Sequence, residues 1–263
     1  MKTYRFDDPA FTLEEREEAI RALAERFRAA STIVFLTGAG ASTESGIPDF
    51  RSPTGIYATA SASLFEIDRF YEDPEAFYRE YAPFYRKMRE AKPNAGHKAI
   101  ADLERRGGKR VEVVTQNIDG LHARAGSSAT WEVHGTIRTA TCVACGRRRE
   151  ESEFSADVMS GRAPRCECGG VFKPDVTFFG EELPAQAFAG AQRAMWEAKL
   201  LVIAGTSLQV YPAAGLPREC DAGTPFVIIN ATPTDLDFQS SLVYRAKIGE
   251  VLPAAVSAAL GVE

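Results

Sequence analysis

Apolar positions along this chain switch between two spacings, and the switching predicts alternating helices and strands. Ile20, Leu23, Ala24 and Phe27 fall at i, i+3, i+4 and i+7, the stripe of a helix with one face in a core. Thr12-Leu13-Glu14-Glu15 just ahead of it reads as a capping box. The run Ser31 to Leu36 is then continuously apolar and β-branched, as expected of a strand buried on both faces. Asn94 caps a second predicted helix with Ile100 and Leu103 inward, and Gly107-Gly108 ends it. Val111 to Thr115, Leu200 to Ala204 and Phe226 to Ile229 repeat the strand signal, each after a helix-length segment. Strands alternating with helices predict an α/β fold with a parallel, doubly wound sheet.

Ligands of such sheets bind beyond the carboxyl ends of the strands. Here those ends carry Thr37-Gly38-Ala39-Gly40, Gln116-Asn117-Ile118-Asp119, Gly205-Thr206-Ser207 and Asn230. All are small or able to hydrogen-bond, which points to one shared ligand site rather than to ordinary loop polarity. The first end continues as Ala41-Ser42-Thr43-Glu44-Ser45-Gly46-Ile47-Pro48-Asp49-Phe50-Arg51. A glycine-rich turn after a buried strand can bring backbone N–H groups close to a phosphate. Pro48 and Ser52-Pro53 break the dinucleotide fingerprint, however, so the turn passes into an irregular loop carrying Asp49, Phe50 and Arg51.

Two stretches stand outside the sheet pattern. Residues from about Ile56 to Arg89 are rich in Phe and Tyr and are expected to form helices packed outside it. Residues from about Thr139 to Phe172 hold Cys142-Val143-Ala144-Cys145 and, twenty residues on, Cys166-Glu167-Cys168. Two thiolate pairs at that separation can close a tetrahedral zinc site. If the C-x-C pair is extended, both sulfurs point the same way and reach one ion. Four protein ligands leave no open position, so such a metal is structural. Cys220 stands alone and reads as a buried apolar residue.

The chain has three histidines, His97, His122 and His134. A general base near neutral pH is most economically a histidine. His134 is the best placed, because Gly135 leaves its flank open and its segment joins the sheet to the cysteine insertion.

Composition narrows the classes further. At 263 residues, 45% hydrophobic and 25% charged, the chain can bury a substantial core. A net charge of −5 with one short basic run, Arg147 to Arg149, gives no footprint for nucleic acid. No run approaches the ~20 apolar residues of a membrane span. The Met1–Asp8 terminus has no apolar signal core, and paired cysteines suit a reducing compartment, so a cytoplasmic location is expected.

Taken together, Gly38 to Ser42, Gly46 to Arg51, Thr115 to His122, Val133-His134-Gly135, the cysteine pairs and Phe178-Phe179-Gly180-Glu181 strongly resemble the sirtuins, of bacterial type. These are NAD-dependent protein lysine deacylases. The resemblance runs in order from about Ala19 to about Leu260. It implies one catalytic unit, 1–263, with a Rossmann-like large lobe at about 1–55, 90–138 and 173–263. The smaller lobe comes from a helical insertion, about 56–89, and a zinc-binding insertion, about 139–172. NAD and an acetyl-lysine protein or peptide meet between them.

The resemblance implies site residues position by position. His134 and Asn117 are the implied catalytic residues. Gly38, Ala39, Gly40, Thr43, Asp49, Phe50 and Arg51 belong to the cofactor loop, and Gln116, Asn117, Ile118 and Asp119 line the nicotinamide and ribose site. Gly205, Thr206, Ser207 and Asn230 hold the adenosine half. Val176, Thr177, Phe178 and Phe179, with Leu208, Gln209, Val210 and Tyr211, flank the substrate backbone as an added strand. Cys142, Cys145, Cys166 and Cys168 hold one structural Zn²⁺. The implied products are free lysine, nicotinamide and O-acetyl-ADP-ribose.

Ala41 and Val133 depart from the commoner family residues by small apolar changes. Relatives that remove succinyl or malonyl groups share a Tyr-x-x-Arg pair, and no Arg lies three residues after Tyr78, Tyr81 or Tyr85. A carboxylate left uncompensated in an apolar pocket is costly, so neutral acyl groups are expected. A dehydrogenase, an ADP-ribosyl transferase and a zinc-dependent binding module are the rival readings from other classes.

Overall fold

The computed structural model describes residues 1–53, 55–56 and 62–262. In chain order it runs β1 (Lys2–Arg5), α1 (Leu13–Ala29), β2 (Thr32–Thr37), α2 (Ile67–Glu72), α3 (Pro74–Glu90), α4 (Ala95–Gly107), β3 (Arg110–Thr115), α5 (Leu121–Ala125) and β4 (Thr130–Glu132). There follow β5 (Gly135–Cys142), β6 (Arg148–Glu150), α6 (Glu151–Met159), β7 (Phe172–Val176), α7 (Ala185–Glu197), β8 (Leu200–Ala204), β9 (Phe226–Ile229), β10 (Leu242–Arg245) and α8 (Ile248–Leu260).

Seven strands form a parallel sheet in the order β1-β10-β9-β8-β2-β3-β4. The period of two along β2 explains the layers: Ile33 and Phe35 face one side, Val34 and Leu36 the other. The first side packs on Leu23 and Phe27 of α1, Ile100 and Leu103 of α4, and Val251 and Leu252 of α8. The second packs on Ala191, Ala194 and Met195 of α7 and on Leu216 of a 3-10 helix, Ala213–Glu219. Helices on both faces make the sheet doubly wound, as the alternating pattern predicts.

The two helix starts follow their sequence signals. Thr12 accepts the Glu15 N–H at 3.2 Å while the Glu15 carboxylate accepts the Thr12 N–H at 2.7 Å. Asn94 caps α4 by accepting the His97 N–H at 3.1 Å, and Gly108 ends it in the left-handed region.

The second lobe is built from a three-stranded antiparallel sheet, β6-β5-β7, with α2, α3 and α6. The aromatic stretch forms helices outside the main sheet, as expected; residues 57–61 of it lie outside the described residues. Its Phe70, Phe77, Tyr78, Tyr81 and Tyr85 fill one core with Phe154, Phe172 and Phe178. Ile47 and Leu121, from loops at the main sheet, join that same core. The lobe is therefore continuous with the strand ends where the site lies.

The four cysteines converge, with all sulfurs within 4.8 Å of one another. The C-x-C pair is not extended, contrary to the expectation. Cys166 accepts the Gly169 N–H at 2.9 Å, a tight turn that swings Cys168 toward Cys142. The turn is favoured because Gly169 takes a positive φ at no steric cost. Arg149, from the short basic run, lies over the Phe172 ring, while Arg147 and Arg148 pair with Glu167 and Asp175. Cys220 is half-buried beside Met195.

Candidate active site

β2, β3, β8 and β9 end side by side, and the segments leaving them surround a cavity of about 760 Å³. After β2 the chain turns through Gly38 into a short 3-10 helix, Ala39–Ser45. The turn lies against the end of β8 so closely that a Cβ on Gly40 would sit 2.8 Å from the Gly205 carbonyl oxygen. Only glycine admits that approach. Gly38, Ala39, Gly40, Thr43, Asp49, Phe50 and Arg51, the residues expected of a cofactor loop, all line the cavity.

After β3, side chains tie this turn to the neighbouring strands. Asn117 is buried, and its amide donates to the Gly38 carbonyl and to Ser42 Oγ, both at 3.0 Å. Ser42 in turn donates to Asp119 Oδ2 at 2.6 Å, and Asp119 Oδ1 accepts the Leu121 N–H at 2.9 Å. Burial raises the Asp119 carboxyl above its ordinary range, partly opposed by those two donors. Gln116 donates to Thr206 Oγ1 at 2.9 Å, linking the ends of β3 and β8.

His134 lies between β4 and β5, half-buried in the cavity wall. Its Nδ1 is 3.0 Å from the Gln116 carbonyl oxygen. A carbonyl only accepts, so Nδ1 carries the proton and Nε2 keeps the basic lone pair. Burial lowers the pKa of His134, and the bond to Gln116 opposes part of that effect. A base of this kind is already neutral at pH 7.

Opposite the glycine turn the wall is apolar. Phe65 packs edge-on against Phe50, Phe84 and Phe178, with ring centroids 5.9, 5.6 and 6.3 Å apart. Phe65, Phe84 and Met88 come from the helical insertion, which the sequence predicts only as helices packed outside the sheet. Ser42 and Lys247 also line the cavity without having been singled out as ligands. Ser42 could have been found from its place in the glycine turn; Lys247 carries no motif. Ile118, Gly205, Thr206, Ser207 and Asn230 line the cavity, as do Val176, Thr177, Phe178, Phe179, Val210 and Tyr211. Leu208 and Gln209 do not: Leu208 is buried in the core beneath β8 and Gln209 is exposed away from the wall.

The two lobes offer different donor sets. The cavity combines a glycine turn, hydroxyls and amides at the strand ends with an aromatic end, as a dinucleotide beside an apolar side chain requires. In the cysteine cluster, the Cys142–Cys168 and Cys145–Cys166 sulfurs are 3.5 and 3.7 Å apart. The edge of a tetrahedral zinc–thiolate site is about 3.8 Å for Zn–S bonds of ~2.3 Å, so one Zn²⁺ fits.

A family model, the Sir2 family, matches residues 38–212. An NAD-dependent protein deacetylase 1 of Pyrobaculum aerophilum is 42% identical over 245 residues, covering 92% of this chain and 94% of that protein. The NAD-dependent protein deacetylase 1 of Geobacillus kaustophilus is 44% identical over 223 residues, covering 83% and 90%. A solved Sir2 structure with deacetylated p53 peptide and 3'-O-acetyl-ADP-ribose superposes with a TM-score of 0.84 at 38% identity, covering 90% of this chain and 97% of that one. A Sir2–p53 peptide–NAD⁺ structure gives 0.80 at 38%, covering 89% and 95%. With the family model matching residues 38–212 and relatives more than 40% identical over most of its length, the chain belongs to the Sir2 family.

Proposed function

We propose that this protein is an NAD-dependent protein lysine deacetylase, releasing nicotinamide, O-acetyl-ADP-ribose and the deacetylated protein. The observation that carries the reading is His134, kept neutral by burial and oriented by the Gln116 carbonyl in a cavity shared with the glycine turn and Asp119. NAD bound there supplies the ribose to which the acyl group passes as nicotinamide leaves. Asp119 and the Ile118 backbone orient the nicotinamide amide. Asn117 commits its amide hydrogens to Gly38 and Ser42, so it fixes the loop on which the cofactor lies. Thr206, Ser207 and Asn230 take the adenosine half, and Phe50 screens the ribose carbon from water. His134 Nε2 accepts the proton of the ribose hydroxyl that goes on to attack the acyl carbon. The segments 176–179 and 208–211 flank the peptide backbone, Leu208 and Gln209 through main chain rather than as cavity wall.

Neutral acyl groups are preferred. Phe65, Phe84, Met88 and Phe178 make the acyl end apolar, and no Tyr78, Tyr81 or Tyr85 side chain lines it. Tyr78 donates to the Phe172 carbonyl at 2.6 Å and Tyr85 to Glu151 at 3.0 Å. A succinyl carboxylate brought there loses its hydration with nothing in return.

The lobes are read with the boundaries set by the two insertions, and the whole chain as one catalytic unit. No described helix is long and apolar enough to cross a membrane. The thiolate cluster supports a reducing, cytoplasmic setting.

The test is purified protein with acetyl-lysine peptide, with and without NAD, followed for nicotinamide and O-acetyl-ADP-ribose. NAD-dependent formation of both, lost in His134→Ala with NAD binding retained, is expected. Reduced nicotinamide, or labelled ADP-ribose left on the peptide, would replace this reading. A succinyl-peptide rate above the acetyl rate would overturn the acyl preference.

A further inference from the structure

Two of the three histidines take no part in that chemistry, yet both are buried: His97 is 0% exposed and His122 1%. Their rings lie 4.6 Å apart, between the first turn of α4 and α5. The tautomer of each follows from its better-partnered nitrogen. The Asn94 N–H points at His97 Nδ1 at 3.4 Å, and only an unprotonated nitrogen accepts, so Nε2 carries the hydrogen. His122 Nε2 lies 3.0 Å from Thr37 Oγ1, whose own hydrogen goes to Thr115 Oγ1 at 2.8 Å. Thr37 is therefore the acceptor, His122 Nε2 is the donor, and His122 Nδ1 is left as a lone pair. His97 Nε2 and His122 Nδ1 have no protein partner. One orphan donor thus stands beside one orphan acceptor, in two neutral rings.

The rings meet only by contact, and the hydrogen bonds leading away from each end at the cofactor site. Thr115 Oγ1 also accepts the Asn117 N–H at 3.1 Å, and Asn94 Nδ2 donates to the Ala41 carbonyl at 2.8 Å. We propose that the buried His97–His122 pair is a positioning device of the cofactor site, fixing the ends of β2 and β3 through Thr37 and Thr115. Asn117 leaves β3 at the angle this relay sets, and its amide then holds the Gly38 turn. Apolar rings of the same size would fill the space without leaving buried polar atoms unpartnered, each at a cost in stability. His122 is accounted for by the direction it gives to the Thr37 hydroxyl, and His97 by the Asn94 N–H it holds beside the Asn94–Ala41 bond. Burial keeps both rings neutral: His97 is pushed down to about 4, and His122 lies well below its ordinary value.

The proposal rests on the NAD reading, and its test separates the two. In the ¹⁵N-labelled full chain at pH 7, both rings are expected as the Nε2–H tautomer; an Nδ1–H or a charged His122 would overturn the relay. In steady state, Thr37→Val keeps volume and removes the hydroxyl. The loss of one buried hydrogen bond predicts a KM for NAD raised about threefold to tenfold, with KM for peptide unchanged. His122→Phe is expected to act alike, the double variant to be no worse than either, and Thr37→Ser to restore the wild-type value. A Thr37→Val enzyme with unchanged KM for NAD, or with both KM values raised alongside a lowered Tm, would sink the proposal. If the unaltered protein shows no NAD-dependent deacetylation, the function fails, and the NAD affinity of the same variants by calorimetry still tests the relay in the same direction.

Discussion

At the scale of the residue, each imidazole has its own environment and so its own pH behaviour. The base proposed above, His134, can work only while neutral, and burial lowers its pKa below the ordinary 6.5. The acid limb of kcat/KM should therefore fall below pH 6.5, with the rate flat from pH 7 upward until another group titrates. A limb centred above pH 7 would show that His134 is not held as described. His97 speaks through stability instead. Its folded pKa is depressed from 6.5 to about 4, so the unfolded chain binds the extra proton first as pH falls. The contribution is fully present above pH 6.5 and is lost as pH drops toward 4, by up to about 3 kcal/mol. Urea midpoints at pH 7 and 4.5 should differ more for the wild type than for His97→Asn, which no longer titrates in that window.

At the scale of the element, the joint between β4 and β5 places His134, and Gly135 makes the joint possible. Gly135 has φ +79°, and a Cβ there would lie 2.0 Å from the Asp175 carbonyl oxygen on β7. Gly135→Ala thus meets both backbone strain and a backbone clash. A loss of roughly 2–4 kcal/mol is expected, from the left-handed conformation and from forcing the strands apart. Thermal unfolding should show it, and residual activity should fall further than stability alone explains because His134 moves with the joint. The sequence made β2, β3, β8 and β9 legible because each is a mostly apolar, β-branched run buried on both faces, interrupted in β3 by Glu112. The strands β1, β4 and β10 carry no such signal because they are short and mix charged or polar residues with apolar ones, unlike the equally short but wholly apolar β9, and β1 and β4 sit at the sheet edges, where one-sided pairing demands little pattern. The polar strand ends pointed directly to the glycine-turn side of the cavity. Phe65, Phe84 and Met88 could not be read as cavity wall, since one face of an aromatic helix looks the same in sequence whether it meets a core or a ligand.

At the scale of the whole molecule, the two lobes differ in what holds them. The seven-stranded sheet is buried between helices on both faces and needs nothing but its own side chains. The second lobe has one aromatic core, and Cys142 and Cys166 belong to that core as well as to the sulfur cluster. A metal that closes β5 onto the Cys166–Cys168 turn therefore also fixes Phe172 and, one strand on, Phe178 at the cavity wall. Without a cation the crowded sulfurs take up protons, Cys168 most readily, and lose the bonds that closed them on one point, so removal of Zn²⁺ opens the cluster rather than leaving it in place. Chelation is expected to abolish deacetylation while the parallel sheet persists. Hydrogen exchange should then show protection lost across 139–176 and 67–88, where α2, α3 and the antiparallel sheet lie, and retained in β2, β3 and β8. The same pattern is expected of Cys145→Ser, which removes an exposed ligand without disturbing the core. A chelated protein that keeps its activity, or that loses protection in both lobes together, would mean that the metal does not act on the site through this lobe.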